Sequence, residues 1–156
     1  MEINRDFKEF LQLLNEHKVK YLVIGGYAVN FHGYPRYTKD IDLWIWMDRP
    51  NLEKLISAIN AFGMESLQLD VTDFSASDTI IQLGYEPYRI DLLLEVDGLD
   101  FEKSFDQRQE AILDEVNINF LNINDLIEAK ETAARLQDLA DAEQLRKIRE
   151  KKNKKK

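Results

Sequence analysis

Apolar positions near the start of the chain recur at spacings of three and four: Ile3, Phe7, Phe10, Leu11 and Leu14. That spacing predicts a helix from Ile3 to Lys18 with one face on the core. The short run Tyr21, Leu22, Val23, Ile24 reads as a buried strand that meets Gly25 and Gly26, where backbone can approach a ligand closely. One or two helical turns are expected over Tyr27–His32, stopped by Gly33 and Pro35. From Asp40 to Trp46 the pattern switches to alternation. Ile41, Leu43 and Ile45 take one face of a strand, and Asp40, Asp42, Trp44 and Trp46 take the other.

Further along, Asn51 is placed to cap a helix through Phe62, with Leu52, Leu55, Ile56, Ile59 and Phe62 on its buried stripe and Gly63 as its stop. This helix is expected to cover the sheet face opposite the carboxylates. Met64–Val71 reads as a further strand, and the polar segment Thr72–Asp78 as a turn or short helix bordering a cleft. Thr79–Leu83 and Tyr88–Leu94 flank Gly84-Tyr85-Glu86-Pro87 as a tight hairpin. On its second arm Arg89, Asp91 and Leu93 share a face, leaving Tyr88, Ile90, Leu92 and Leu94 to the core. The mixed pattern of Phe101–Leu113 does not fix a helix. Val116–Leu121 alternates as a last strand, expected at an edge. Two helices close the chain, one over Asp125–Leu136 capped by Asn122 or Asn124, the other over Asp138–Arg149.

Length and charge narrow this picture. The 156 residues suit one domain, read as 1–149, with 150–156 a basic, disordered tail. The formal charge of −8 is uneven: from Arg146 onward there are eight Lys or Arg and one acid, Glu150, so the preceding part holds 13 basic and 28 acidic residues. Such an acidic body repels a phosphate backbone and argues against an enzyme that grips extended DNA. The terminal lysines read as a solvated end, with contact to RNA or an acidic partner as the other reading. No apolar run is long enough to cross a bilayer, and the charged N-terminus lacks a signal core, so a cytoplasmic protein is expected. The absence of cysteine excludes disulfides and thiolate metal sites.

Candidate chemistry centres on the carboxylates. Asp40 and Asp42 repel each other on one strand face, an arrangement that a divalent cation would relieve, and hard oxygen donors favour magnesium. Asp91 lies in another apolar strand and can look toward them if the two strands are neighbours; its plain structural alternative is an ion pair with Arg89 or Arg36. The strand ending in Gly25-Gly26 suggests a seat for phosphate. His17 suits a helix C-terminus, and His32 has a catalytic or a structural reading. Trp44 and Trp46 are expected to be covered by the terminal helices, or else to offer a stacking surface for a base.

The combination of Gly25-Gly26, a thirteen-residue spacer, Asp40-Ile41-Asp42 and a later strand bearing Asp91 resembles the nucleotidyltransferase superfamily that includes DNA polymerase β. With Gly33 and Arg36-Tyr37-Thr38-Lys39 before the paired acids, it looks most like the prokaryotic abortive-infection and minimal nucleotidyltransferases. The resemblance implies an α+β nucleotidyltransferase fold: a mixed β-sheet with helices packed on one face and a C-terminal helical pair. It implies transfer of a nucleoside monophosphate from a nucleoside triphosphate to a hydroxyl, with two magnesium ions about 4 Å apart held by Asp40, Asp42 and Asp91. Gly25, Gly26, Arg36, Thr38 and Lys39 would meet the triphosphate. The run KETAARLQDLAD resembles the closing segment of the abortive-infection group and adds Lys130 and Asp138, with Arg135 off the face of Lys130. The implied acceptor is a small molecule, a protein side chain or a tRNA end, and a toxin of this kind would have an antitoxin partner. An antibiotic-modifying adenylyltransferase would carry the same residues, and a non-catalytic nucleotide-binding module would keep the cleft without turnover.

Overall fold

The computed structural model describes residues 3–155. Helix α1 (Arg5–Glu16) starts where the Asn4 side chain accepts from the Asp6 and Phe7 amides, and it buries Phe7, Phe10, Leu11 and Leu14 of the predicted stripe, while Ile3 lies before the helix and is partly buried. Burying each of these side chains contributes roughly 1.5–3 kcal/mol. Strand β1 (Tyr21–Ile24) runs straight into helix α2 (Gly25–Phe31), and strand β2 (Ile41–Ile45) follows. Helix α3 (Arg49–Ile59) comes next, then strands β3 (Ile80–Leu83) and β4 (Ile90–Leu93), helix α4 (Phe101–Asp106) and strands β5 (Gln109–Leu113) and β6 (Val116–Phe120). Helices α5 (Ile123–Ala133) and α6 (Leu136–Lys154) close the chain.

The six strands form one mixed sheet in the order β3-β4-β2-β1-β6-β5. β2 is antiparallel to β1 and parallel to β4, in a register that sets Asp42 opposite Asp91. Partners in register point to the same face, so two strands far apart in sequence deliver their acids to one place. The other face carries Ile41, Leu43, Ile90 and Leu92, all buried. Helix α1 packs here, its Phe7 edge-on against Tyr27 and Tyr88, and α3 packs on α1.

Several elements differ from the pattern-based expectation. Helix α3 begins before Asn51, with Pro50 in its first turn. Asn51 is buried inside it and spends its amide on the chain nearby, accepting from the Lys20 amide at 2.8 Å and donating to the Trp46 carbonyl at 2.9 Å. Met64–Val71 contains no strand. Gly63 and Gln68 both take positive φ, and the segment folds as short turns at Glu65–Leu67 and Val71–Phe74. Tyr88, expected in the core, is half exposed at the start of the second hairpin arm. Phe101–Leu113 divides into α4 and the edge strand β5, so β6 lies inside the sheet between β1 and β5.

Trp44 and Trp46 pack on Phe101 of α4, where the terminal helices were expected, with ring centroids 5.1 and 6.4 Å away. A base cannot stack on Trp44, which is buried and donates to the Leu94 carbonyl. The stretch read as a disordered tail continues α6 through Lys154, and Lys156 lies outside the described residues. Lysine is a good helix former, and its charge suits a helix C-terminus.

Candidate active site

The ten residues expected to meet the metal or the nucleotide line one cavity of about 870 Å³: Gly25, Gly26, Arg36, Thr38, Lys39, Asp40, Asp42, Asp91, Lys130 and Asp138. Its floor is the junction of β1 and α2. Gly25 has a φ of +66°, and the space its side chain would fill is taken by the Asp42 carboxylate. A β-carbon on Gly26 would meet Thr38 Oγ1 at 2.8 Å. Both glycines therefore let neighbouring polar side chains sit directly against the backbone. Ser77 and Asp78, from the polar segment expected to border a cleft, also line the cavity.

Burial raises the Asp42 carboxyl from an ordinary 3.8 to about 6, reinforced by the negative charges of Asp91 and Asp40. Arg89 accounts for the other two acids. Its Nε and Nη2 donate to Asp91 Oδ1 and Oδ2 at 2.7 and 3.0 Å, and Nη2 lies 3.3 Å from Asp40 Oδ2. The Arg89 backbone amide donates to Asp40 Oδ1 at 3.0 Å. The Asp91 side chain thus has the structural ion pair foreseen for it with Arg89, while Arg36 turns elsewhere.

The cavity's opposite wall is an ionic cluster that ties α6 to α5 and to the loop before β2. Asp141, fully buried, accepts from Arg36 Nη1 at 2.6 Å and from Gln137 at 2.8 Å, with Lys130 Nζ at 3.1 Å. Lys130 also reaches Asp138, at 3.3 Å. Burial pushes Asp138 up, but hydrogen bonding from Arg135 and the charge of Lys130 prevail and hold it below its ordinary value. Arg135 reaches Asp138 at 2.7 Å as a local pair three residues apart at the start of α6, and the left-handed conformation of Ala134, which breaks α5 from α6, lets Lys130 meet the same acid from eight residues away.

His32 does not enter the cavity. It is buried with Nε2 2.7 Å from the Leu121 carbonyl, and burial lowers its pKa, an arrangement that fits the structural one of its two readings. His17 sits against the Leu13 carbonyl at 2.9 Å, as suits a helix end. Sequence reasoning missed Glu95, Val96, Asp97 and Gln137 in the cavity wall. The position of Glu95-Val96-Asp97 just after the strand bearing Asp91 was the available signal.

A mixed sheet that carries paired glycines at a strand-to-helix junction and acids on two adjacent strands defines a nucleotidyltransferase fold. The chain belongs to the family described as nucleotidyl transferase of unknown function (DUF2204), which matches residues 3–156. Among solved structures it is similar to the lincosamide antibiotic adenylyltransferase LnuA with lincomycin bound, at 16% identity and a TM-score of 0.59, over 94% of this chain and 98% of that one. It is also similar to the putative nucleotidyltransferase TM1012 from Thermotoga maritima, at 20% identity and a TM-score of 0.58, over 94% of this chain and 92% of that one. An antigenic nucleotidyltransferase-like protein from Paracoccidioides brasiliensis matches at 14% identity and a TM-score of 0.53, over 90% of this chain and 72% of that one. No curated protein matches the sequence. No helix among the described residues is long and apolar enough to cross a membrane.

The resemblance in sequence implies a divalent cation among the three acids. Among the described residues no group of three acid or imidazole side chains forms a ready cage. The donors are nevertheless of the right kind: three hard carboxylates line one cavity, and among the described residues Asp42 makes no ion pair, since of the three acids Arg89 bridges Asp40 and Asp91. They would fit such an ion once Arg89 releases those two acids.

Proposed function

We propose that this protein transfers a nucleoside monophosphate from a nucleoside triphosphate to a hydroxyl acceptor. The observation that carries the reading is the in-register pairing of Asp42 with Asp91 beside Gly25-Gly26, within one cavity that also holds Lys130 and Arg36. In the proposed reaction the acceptor oxygen bonds to the α-phosphorus, the bond from that phosphorus to its bridging oxygen breaks, and pyrophosphate leaves. The hydroxyl proton passes to an ionised carboxylate of the triad. Asp40, Asp42 and Asp91 would hold magnesium, which supplies charge neutralisation at the phosphates and activation of the hydroxyl. The backbone at Gly25 and Gly26 gives the phosphates close approach, Lys39 stands exposed at the mouth, and Lys130 and Arg36 set positive charge along the wall.

A volume of about 870 Å³ favours a nucleotide together with a small hydroxylated acceptor. The shared fold with a lincosamide adenylyltransferase supports the same class. The acidic body weighs against long nucleic acids, leaving a tRNA end or a protein side chain as narrower targets. Transfer onto a tRNA end or a protein would place the chain with toxins that need an antitoxin. One observation favours a second reading, a nucleotide-binding module without turnover: Arg89 engages two of the three acids.

The test is incubation of the purified protein with magnesium and each α-labelled triphosphate, against panels of small hydroxylated compounds, proteins and tRNA. Pyrophosphate release with label on an acceptor is expected, and loss of both in Asp42→Asn. Wild-type protein as inert as that variant, though still stabilised by a triphosphate, would favour the binding module.

A further inference from the structure

The Arg89 side chain sits between acids of two different strands. Its guanidinium bridges Asp91 and Asp40, while Nη1 reaches outward to Glu86 at 2.9 Å in the β3–β4 turn. A forked guanidinium across two carboxylates offsets part of the repulsion that a divalent cation would relieve in full, and it uses the same oxygens. The two cannot fully occupy those oxygens together. Glu86 is more than half exposed and is not among the residues that line the cavity, so the end of the guanidinium already has a partner on its solvent side.

We propose that Arg89 is a resident counter-cation of the acidic triad: it keeps Asp40 and Asp91 together in the metal-free protein, competes with a divalent cation for them, and withdraws toward Glu86 when the cation enters. The proposal rests on the nucleotidyltransferase reading of the same acids. Arg89 is thus a positioning residue that sets when the metal site is complete. The incoming triphosphate, itself strongly negative, supplies the guanidinium with a replacement partner and so couples cation binding to nucleotide binding. Asp42, outside the bridge, is the acid left free to receive the ion first.

The experiment compares wild type, Arg89→Gln and Arg89→Lys for binding of Mn²⁺ alone, by electron paramagnetic resonance of the free ion, with and without a non-hydrolysable triphosphate. Without nucleotide, Arg89→Gln is expected to bind Mn²⁺ about tenfold to a hundredfold more tightly than wild type, the scale of one or two charge-assisted hydrogen bonds. Arg89→Lys, charged but unable to bridge as a fork, should fall between. Nucleotide should tighten Mn²⁺ binding more in wild type than in Arg89→Gln. Equal or weaker Mn²⁺ binding by folded Arg89→Gln overturns the proposal while leaving the enzyme reading standing, provided wild type binds Mn²⁺ with the triphosphate. If no form binds Mn²⁺ under any condition, both fail. Should Arg89→Gln not fold, the Arg89→Lys comparison and the Arg89 Nε–H resonance of wild type decide: that resonance must shift on adding Mg²⁺ with the triphosphate, and an unmoved signal with bound Mg²⁺ overturns the proposal.

Discussion

Asp42 lies in the space that a side chain on Gly25 would need, so the acid and the glycine are positioned as one unit. Gly25→Ala faces two costs: a left-handed φ of +66°, which costs an L-residue about 1–2 kcal/mol, and a collision with the carboxylate. The variant should lose more than about 2 kcal/mol of stability if the backbone holds, or displace Asp42 if it yields. Either way nucleotidyl transfer should fall at least about a hundredfold, the effect of misplacing a reacting group by roughly 1 Å. Thermal melts alongside the transfer assay check this, and full activity in a well-folded Gly25→Ala would show that Asp42 does not need its present position.

The raised pKa of Asp42 gives a pH signature that needs no substrate. Its folded value of about 6 lies above the ordinary 3.8, so between these values the native state binds more protons than the unfolded chain. Stability contributed at this position is therefore fully present below the ordinary value, declines as pH rises through about 6, and is flat above. In chelator, Asp42→Asn should match wild type near the low end of that range and exceed it at neutral pH by on the order of 2 kcal/mol. Urea midpoints of both proteins across the range test it; a gap independent of pH would contradict the burial and like-charge origin of the shift.

The acids were legible because residue type and strand alternation fix which face a side chain takes, and the glycines because the strand before them is wholly apolar. The edge strand β5 was not, since Gln109-Glu110-Ala111-Ile112-Leu113 is largely exposed and carries no core-facing rhythm. Asn51 looks like a helix cap in sequence, yet its bonds run to Lys20 and Trp46, partners that only the tertiary fold brings near. The break at Ala134 was likewise hidden in a run of good helix formers, and with it the reach of Lys130 to Asp138. The proximity of Arg89 to Asp91 follows from two-residue spacing on one strand face, but its grip on Asp40 depends on the parallel pairing of β2 with β4.

His32 tests the separation of structural from chemical roles. Its Nε2 contact to Leu121 joins the end of α2 to the segment after β6, and burial favours the neutral ring. His32→Leu should leave the Leu121 carbonyl unsatisfied and cost about 1–3 kcal/mol in melting experiments. Turnover measured well below the melting temperature should remain within about threefold of wild type, a change of under about 1 kcal/mol in barrier. A loss of turnover without loss of stability would bring the imidazole back into the chemistry.

The Arg36–Asp141 contact shows how the cavity wall is held. Asp141 is fully buried and answers three donors, on the loop before β2, on α5 and on α6. Removing the acid in Asp141→Ala leaves Lys130 and Arg36 facing each other without their shared partner, and a loss of about 3–5 kcal/mol is expected. Arg36→Met is milder, because Lys130 and Gln137 still satisfy the carboxylate. If the pair acts as one unit, the double variant should be less destabilised than the sum of the two single changes, with a coupling of about 1–3 kcal/mol. Urea denaturation of the four proteins closes the cycle. Strict additivity would mean that Arg36 holds its place for the nucleotide and contributes nothing to the wall.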